Sequence, residues 1–420
     1  MLVTDSVVPH PEIDTDYDPT RSPHREDPFQ YYAWSQVNAP VIWNPAIGAW
    51  LLTRYRDIER VVADTETFSN ASAVPPLDKL LPPDVLNIIA QAGPPGRHML
   101  QTDPPEHRAM RRIGHAVMDG QRIQRQVPYM RELAASLIDV FVDDGAVELV
   151  AGFTLPYVKR VLSRLVGIPE SDMDRVETWN DAFLGLMSPL IGHDRKIELA
   201  HQYVEYELYL EQLIADRRAD PRDDIVSDLV RFYADEQIPD DRALPDMKMF
   251  IRGLYAGGIH TTADGIDSAV YLMLTADDGG LWREAAVRPA VIPEIWEETL
   301  RLEAPHRGLS RLATRDVEIG GKTIEQGQQV LLLFGAANRD PDVFGEPDRF
   351  RRGRENIRRH MAFGQGIHRC LGRILAHHEG IEGLAMLADR LPRAQIAPSY
   401  HPSYSPAFYF RGLQQLDLVW

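Results

Sequence analysis

Cys370 is the only cysteine in 420 residues, and the residues around it are those whose types and spacing could do chemistry. Phe363-Gly364-Gln365-Gly366-Ile367-His368-Arg369 precedes it, and Leu371-Gly372 follows, opening a pattern of helical spacing. Glycines on both sides of the sulfur suit a tight loop over which something flat can lie close to the backbone. A helix starting just past the cysteine aims its N-terminal amides at the sulfur and favours a thiolate. Such a thiolate suits the fifth coordination position of a haem iron. The alternative is a buried structural cysteine. Zinc would need further sulfur or imidazole ligands at ligand spacing, and none accompanies Cys370.

Other groupings lie upstream. Asp103-Pro104-Pro105-Glu106 has the proline and acid of a helix start. His107 and Arg111 follow at i and i+4, on one face of that helix. Either they form a solvated edge or they present donors to an anion. The stretch LPDMKMFIRGLYAGGIHTTADGIDSAVYLML, from Pro245 onward, predicts a helix of about thirty residues, roughly 45 Å long. Gly253, Gly257, Gly258 and Gly265 lie inside it, each costing about 1 kcal/mol relative to alanine. A buried helix with such a composition usually lets something approach its backbone. Thr261 in its middle either faces that approach or bonds the preceding turn's carbonyl. Glu298 and Arg301 make an i,i+3 pair of the kind common on surface helices.

The motif Phe363-x-x-Gly366-x-His368-x-Cys370-x-Gly372, continued by Leu375-Ala376-x-x-Glu379, resembles the haem-ligand loop of the cytochromes P-450. DPPEHRAMRR, Gly257-Gly258-Ile259-His260-Thr261-Thr262, Glu298-x-x-Arg301, Arg311 and Pro347-Asp348-Arg349-Phe350 are similar to further motifs of that family, in its order and approximate spacing. The resemblance runs from about Asp103 to Trp420, and more loosely back to Trp50. It implies heme b (iron protoporphyrin IX) with Cys370 as the metal ligand. It implies that His107, Arg111, Arg311 and His368 hold the propionates, and that Phe363, Gly364 and Gly258 lie against the macrocycle. Thr261 aligns with the catalytic threonine of the oxygen-binding kink, whose hydroxyl helps deliver protons. Glu298 and Arg301 would form a buried ion network with Arg349.

The chain departs from the family at one position. Most members carry an acid before that threonine, as a proton relay, and this chain carries His260. Histidine can relay protons near neutral pH, so His260 is expected to replace the acid.

The family's fold is mainly α with small antiparallel β units, a triangular prism with haem between a long distal helix and the proximal helix of the cysteine loop. Its reaction inserts one oxygen atom of O2 into a C–H bond. Here the implied substrate is a small to medium apolar molecule. Electrons would come from NAD(P)H through a separate ferredoxin or flavodoxin and its reductase, because no reductase sequence is fused to either end. The alternatives are a haem-thiolate protein that binds a gas or ligand without activating oxygen, and a peroxide-driven variant.

The elements that must position these residues follow from composition and pattern. No Gly/Ser-rich linker, low-complexity tract or repeat divides the chain, which leaves a single large domain open; the resemblance implies that residues 1–420 are one such domain, with 1–30 an irregular arm. Apolar residues at 44% and charged residues at 25% are ordinary for a soluble globular protein. A lone cysteine excludes an intrachain disulfide and fits a cytoplasmic setting. The N-terminus lacks the basic start and apolar core of a signal peptide, and no apolar run approaches the ~18 residues of a membrane span. A net charge of -17 argues against nucleic acid as partner. Against that acidity stand Arg351, Arg352, Arg354, Arg358 and Arg359 before the cysteine loop, and Arg369 and Arg373 beside it. They are a basic patch able to dock an acidic electron donor or to serve internal ion pairs.

Trp34 to Ala39 completes a short helix, Pro40 to Thr53 alternates as a hairpin around Gly48, and Asp57 to Ala63 is helical. Residues 71–100, with Pro75, Pro76, Pro82, Pro83, Pro94 and Pro95, read as a long, apolar, mobile loop of functional kind. Residues 127–220 are largely helical, broken at Gly167-Ile168-Pro169 and at Ser188 to Asp194, with a capped start at Ser171. By resemblance the two helices beside the second break form a lid over substrate. Residues 330–337 look like a buried strand and its exit. The tail from Ser403 reads as a hairpin with its tip at Pro406 to Tyr409, another substrate contact by resemblance. Arg307 either anchors a polar group of substrate or faces outward.

Overall fold

One uninterrupted helix of 36 residues, Asp240–Thr275, runs through the middle of the chain. The structure is a computed structural model that describes residues 14–74, 77–188 and 191–420. This distal helix is about 54 Å long. It begins five residues before the expected Pro245, with Asp240 and Asp241 in its first turn, where carboxylates suit the positive end of the dipole. Its buried face carries Phe250, Ile251, Tyr255, Ile259, Ile266 and Met273, part of the largest hydrophobic cluster. Two of its glycines exist for helix packing. A Cβ on Gly258 would lie 3.2 Å from Leu162 of the helix Leu155–Val166, and one on Gly265 would lie 2.9 Å from Trp296 of the helix Ile292–Leu302. Close approach of those helices offsets the helix propensity that glycine loses.

The proximal helix, Arg373–Arg390, packs against the distal helix and against Ile292–Leu302. Gly380 makes this possible, since a Cβ there would sit 2.6 Å from the Trp296 ring. The chain's strands are β1 (Val41–Asn44), β2 (Ala49–Leu52), β3 (Phe68–Ser69), β4 (Ala146–Glu148), β5 (Gly308–Ala313), β6 (Val317–Ile319), β7 (Lys322–Ile324), β8 (Gln329–Leu333), β9 (Gln395–Ile396) and β10 (Asp417–Val419). They form a five-stranded sheet in the order β1-β2-β8-β5-β3, a three-stranded sheet β4-β10-β9, and the pair β6-β7. All pairings are antiparallel except β2 with β8, where the expectation of antiparallel units falls short. The hairpin turning at Gly48 is present, with that residue at φ +71. So is the small unit turning at Gly320 and Gly321. Leu331 and Leu333 of β8 pack with Tyr31 and Tyr32 of the helix Phe29–Asn38 on one face, while Val330 and Leu332 face a second cluster. This alternation is why the 330–337 stretch is apolar throughout.

Several expectations need correction. The 71–100 segment is not a mobile loop in its described part. Leu77–Leu80 and Pro83–Ile89 are helical, with Pro83 at the first position of its helix, where its missing N–H costs nothing. Leu81, Val85 and Ala92 pack with Ala182 and Leu186 of the helix Met173–Leu186 and with Leu199 and Tyr203 of the helix His193–Ala219. The Arg97 backbone N–H donates to Asp246 Oδ1 at 2.8 Å, and its guanidinium pairs with the same carboxylate, fastening the segment to the distal helix. Pro75 and Pro76, like Pro189-Leu190 of the second break and residues 1–13 of the arm, lie outside the described residues. Ser171 is not a cap. A 3-10 turn, Glu170–Asp172, leads into Met173–Leu186, which has no side-chain cap. Residues 14–28 are irregular, as expected, yet bury Tyr17 and His24. The C-terminal hairpin is reduced to a bridge between Tyr404 and Leu413, after which β10 departs to pair with β4 and β9. Among the described residues no helix is long and apolar enough to cross a membrane.

Candidate active site

The cysteine loop is built by its own backbone. The Cys370 N–H donates to Phe363 O at 2.8 Å, and the Gly364 N–H to Met361 O at 2.9 Å. Gly366 is the glycine that the turn requires. Its φ is +69, and a Cβ there would lie 2.8 Å from Val62. Burial raises the thiol pKa of Cys370, against the pull of the Gly372 amide, the charges of Arg111 and Arg373, and the Arg373 amide. The helix start therefore acts on the sulfur as the sequence suggested, against desolvation by the surrounding loop, while the residue itself presents exposed surface. A bound cation would tip that balance to thiolate.

The helix Glu106–Val117 lies against this loop, because Gly114 leaves room for Leu371, which a Cβ would approach to 2.9 Å. That contact sets His107 beside His368, ring centroids 4.0 Å apart. His107 is 2% exposed, and the Nε2 atoms of both imidazoles are buried with no hydrogen-bond partner among the described residues. Arg311, on β5, is 4% exposed, and its guanidinium donates to its neighbour's carbonyl, Ser310 O, at 2.8 Å. Arg111 donates to His115 Nε2 at 3.1 Å. Burial, then the charges of His107, Arg311 and Arg111, push the His368 pKa down to about 3. Burial pushes Arg311 down to about 10, against the attraction of Asp103. Burial, followed by Arg111, lowers His107. Asp103 is already engaged, accepting from the Ser69 hydroxyl and from the Asn70 N–H at 2.9 Å.

Two arginines and two imidazoles that burial biases toward the neutral form thus converge at the edge of the cysteine loop. Buried donors without acceptors are costly, and a pair of carboxylates would satisfy them. The residues present fit a haem: His107, Arg111, Arg311 and His368 would hold its propionates and Cys370 its iron.

On the distal side, Gly253, Gly257 and Thr261 share one face of the long helix at four-residue spacing. A Cβ on Gly257 would touch nothing within 4 Å, whereas the expected cofactor contact, Gly258, abuts Leu162. Gly257 is the glycine that opens the helix, and the missing side chain of Gly258 serves helix packing instead. The Thr261 hydroxyl donates to Gly257 O at 2.7 Å, so the bond to the preceding turn is formed while the residue stays partly accessible. His98 lies beside Gly253, its Nε2 3.6 Å from where a Cβ would be. His98 Nδ1 accepts the Leu100 N–H at 3.1 Å, which leaves Nε2 as the donor. His260 Nε2 is 3.6 Å from Asp181 Oδ1 on the helix Met173–Leu186.

Phe363 stacks edge-on against His377, centroids 5.1 Å apart, in addition to accepting the cysteine's amide. Gly364, at φ +62, has no atom within 4 Å of a Cβ position.

Behind the site, Glu298 is 1% exposed and accepts from Arg301 Nε and Nη2 at 2.8 and 2.7 Å. The third member of this network is Arg354, whose Nε donates to Glu298 Oε1 at 2.9 Å, and not the expected Arg349. Arg349 lends only its carbonyl, while its side chain is 75% exposed and pairs with Glu346. Arg307 does not face outward, and its Nη1 is buried with no hydrogen-bond partner among the described residues. It is 3% exposed, and its Nε donates to Phe410 O at 3.0 Å, tying down the C-terminal loop. His98, Asp181 and Arg354 escaped the sequence reading as site residues. Only Arg354 had a local signal, the basic run that contains it.

Comparison with known proteins places this geometry. Residues 291–387, which hold Glu298, Arg301, Arg311 and Cys370, match the family Cytochrome P450. The chain is 33% identical over 376 residues to the mycinamicin IV hydroxylase/epoxidase of Micromonospora griseorubida, with 89% of each chain covered. It is 32% identical over 378 residues to the 6-deoxyerythronolide B hydroxylase of Saccharopolyspora erythraea, covering 87% of this chain and 89% of that one. The solved structure of cytochrome P450 CREJ in complex with (4-ethylphenyl) dihydrogen phosphate superposes with a TM-score of 0.87 at 27% identity, covering 96% of this chain and 98% of that one.

Proposed function

The chain belongs to the cytochrome P450 family, a family of bacterial monooxygenases and hydroxylases, and on that premise we propose that it binds heme b through Cys370 and inserts one oxygen atom of O2 into a C–H bond of a small to medium apolar substrate. The observation that supports this most is the pair of buried, unpartnered imidazole nitrogens on His107 and His368, flanked by Arg111 and Arg311 at the mouth of the cysteine loop. When bound, haem supplies dioxygen activation with two electrons and two protons, one oxygen atom going to product and the other to water.

The chain's own residues do the rest. Cys370 would hold the iron as a thiolate, and His107, Arg111, Arg311 and His368 would neutralise and orient the propionates. Gly257 keeps the distal helix from filling the cleft, and Thr261 holds a proton on Oγ1 at its edge. His260, bridging to Asp181, links that edge to partly exposed groups on the lid. Leucines and alanines of the 77–92 segment and of the helices Met173–Leu186 and His193–Ala219 wall the approach with apolar surface and exclude water. Two relatives are named as hydroxylases, of mycinamicin IV and of 6-deoxyerythronolide B, and hydroxylation is the reaction carried over to this chain.

Electrons come from NAD(P)H through a separate ferredoxin or flavodoxin with its reductase, in the cytoplasm. Of the basic patch, Arg351, Arg352 and Arg354 pair with Glu346, Glu284 and Glu298. Arg358, Arg359 and Arg369 are exposed and, among the described residues, form no ion pair, so they offer charge to an acidic partner.

The test is turnover. Compounds that shift the spin state of the purified protein are incubated with NAD(P)H, a ferredoxin or flavodoxin and a reductase. NAD(P)H-dependent hydroxylation is expected. Binding with no such product from any compound that shifts the spin state would leave a ligand-binding haem protein instead.

A further inference from the structure

Gly253, Gly257 and Thr261 stand on one face of the distal helix, and all three keep accessible surface. A Cβ on Gly257 would meet nothing within 4 Å, whereas one on Gly253 would lie 3.6 Å from His98 Nε2. His98 therefore stands at the far end of the strip that Thr261 begins. The eight residues from Gly253 to Thr261 span about 12 Å along the helix.

The tautomer and position of His98 are set by its own segment. It caps the short 3-10 turn Met99–Gln101, its Nδ1 accepting the Leu100 N–H at 3.1 Å. A neutral imidazole that accepts through Nδ1 carries its proton on Nε2. Burial, then the charge of Arg252, keeps the ring neutral. Nε2 has no hydrogen-bond partner among the described residues, and the residue retains part of its surface. The backbone is pinned on both sides of it. Lys248 Nζ donates to Ala92 O at 3.1 Å, the Arg97 N–H to Asp246 Oδ1 at 2.8 Å, and Asn70 Nδ2 to Leu100 O at 3.0 Å. A donor held this way loses little freedom on meeting an acceptor.

The cations near it are already balanced inside the protein. Arg252 donates to Glu207 and, at 2.9 Å, to Tyr203 Oη. Lys248 pairs with Glu207 at 3.2 Å, and Arg97 pairs with Asp246. Arg252 Nε has no partner among the described residues but is buried, out of a ligand's reach. His98 thus offers an uncharged N–H beside the apolar side chains of the 77–92 segment and its partner helices. A carboxylate entering here would find no free cation, and an ammonium would find a donor where it needs an acceptor. An uncharged oxygen suits the site.

We propose that His98 Nε2 is a specificity-determining donor of the distal cleft, taking the carbonyl, ether or hydroxyl oxygen of an otherwise apolar substrate. The proposal rests on the monooxygenase reading above and narrows it. The substrate is an elongated apolar molecule whose acceptor oxygen lies on the order of 10 Å from the C–H bond presented at Thr261. The hydrogen bond sets which end of the molecule enters first, and the spacing sets which carbon is oxidised.

The probes for the test are 1-alkylimidazoles, whose azole nitrogen binds ferric haem and whose chain extends into the cleft. A series of chain lengths is made with three tail ends: methyl, methyl ketone and carboxylate. Binding is read from the Soret shift of the holoprotein and needs no turnover. At the chain length that reaches His98, the ketone should bind wild type about three- to tenfold more tightly than the methyl tail. The carboxylate should bind no better than the methyl tail. His98→Ser keeps an acceptor for the Leu100 N–H and removes the donor, so the ketone advantage should vanish. Gly253→Val sets an isopropyl group beside Nε2 and should abolish the advantage with the histidine intact. The ratio of ketone to methyl affinity is compared, so a general loosening of the cleft does not mimic the effect. No ketone advantage at any chain length in wild type would overturn the proposal. So would an advantage that persists in either variant, or a carboxylate preferred over the ketone. Failure of every alkylimidazole to shift the Soret band would overturn the haem reading, and the proposal with it.

Discussion

Replacing Glu298 with glutamine should cost about 3 kcal/mol of folding stability, and the structure says where that number comes from. The carboxylate is 1% exposed and accepts four hydrogen bonds, two from Arg301, one from Arg354 and one from the Arg351 backbone N–H at 2.9 Å. Burial pulls the Arg301 pKa down, and the Glu298 contacts work against that pull. Removing one partner from a buried ion cluster costs about 3–5 kcal/mol, because a charge is left uncompensated. Glutamine sits at the low end, since it keeps one acceptor oxygen and the guanidiniums keep their carbonyls. Arg301 retains Asn338 O and Pro347 O, and Arg354 retains Gly345 O and Glu346 O. Arg349→Ala is the control, expected within about 0.5 kcal/mol of wild type because its side chain is on the surface. Equilibrium urea unfolding followed by tryptophan fluorescence reads both, as a lowered midpoint at unchanged slope for Glu298→Gln. A loss below about 1 kcal/mol, or an equal loss in Arg349→Ala, would refute the assignment of Arg354 as the network's third member.

Other predictions follow from single side chains. His98 is held neutral by burial and by Arg252, with its pKa lowered to about 4. The folded state binds fewer protons than the unfolded state between pH 6.5 and 4, so stability should fall as pH drops through that window. The loss is at most about 3 kcal/mol. His98→Gln should flatten the slope between those limits, and an unchanged slope would show that His98 is not the source. Reversing Arg358 and Arg359 to glutamate should slow reduction by the electron donor at low ionic strength, and the difference should vanish in high salt. Equal rates at low salt would remove this face as the docking site.

The parts of the site written in short local patterns were legible. Cys370 with its glycines, and His107 with Arg111 one helical turn on, depend on neighbours in sequence, and the structure sets His107 against His368 of the cysteine loop. Contacts set by folding over longer distances were not. Arg349 and Arg354 are five residues apart in the same irregular stretch, and only the path of the backbone decides which side chain turns toward Glu298. The prolines of 71–100 suggested a loop, yet Pro83 opens a helix whose apolar residues find their partners about a hundred positions away. Gly258 and Gly257 are adjacent and chemically identical. The rotation of the distal helix against Leu162 separates their roles.

The claim on which all of this rests is that Cys370 holds haem iron as a thiolate, and the reduced-CO spectrum tests it most directly. The wild-type protein should show the thiolate-type Soret band, and Cys370→Ser should lose it while remaining folded. An unaltered band in the serine variant would contradict the assignment.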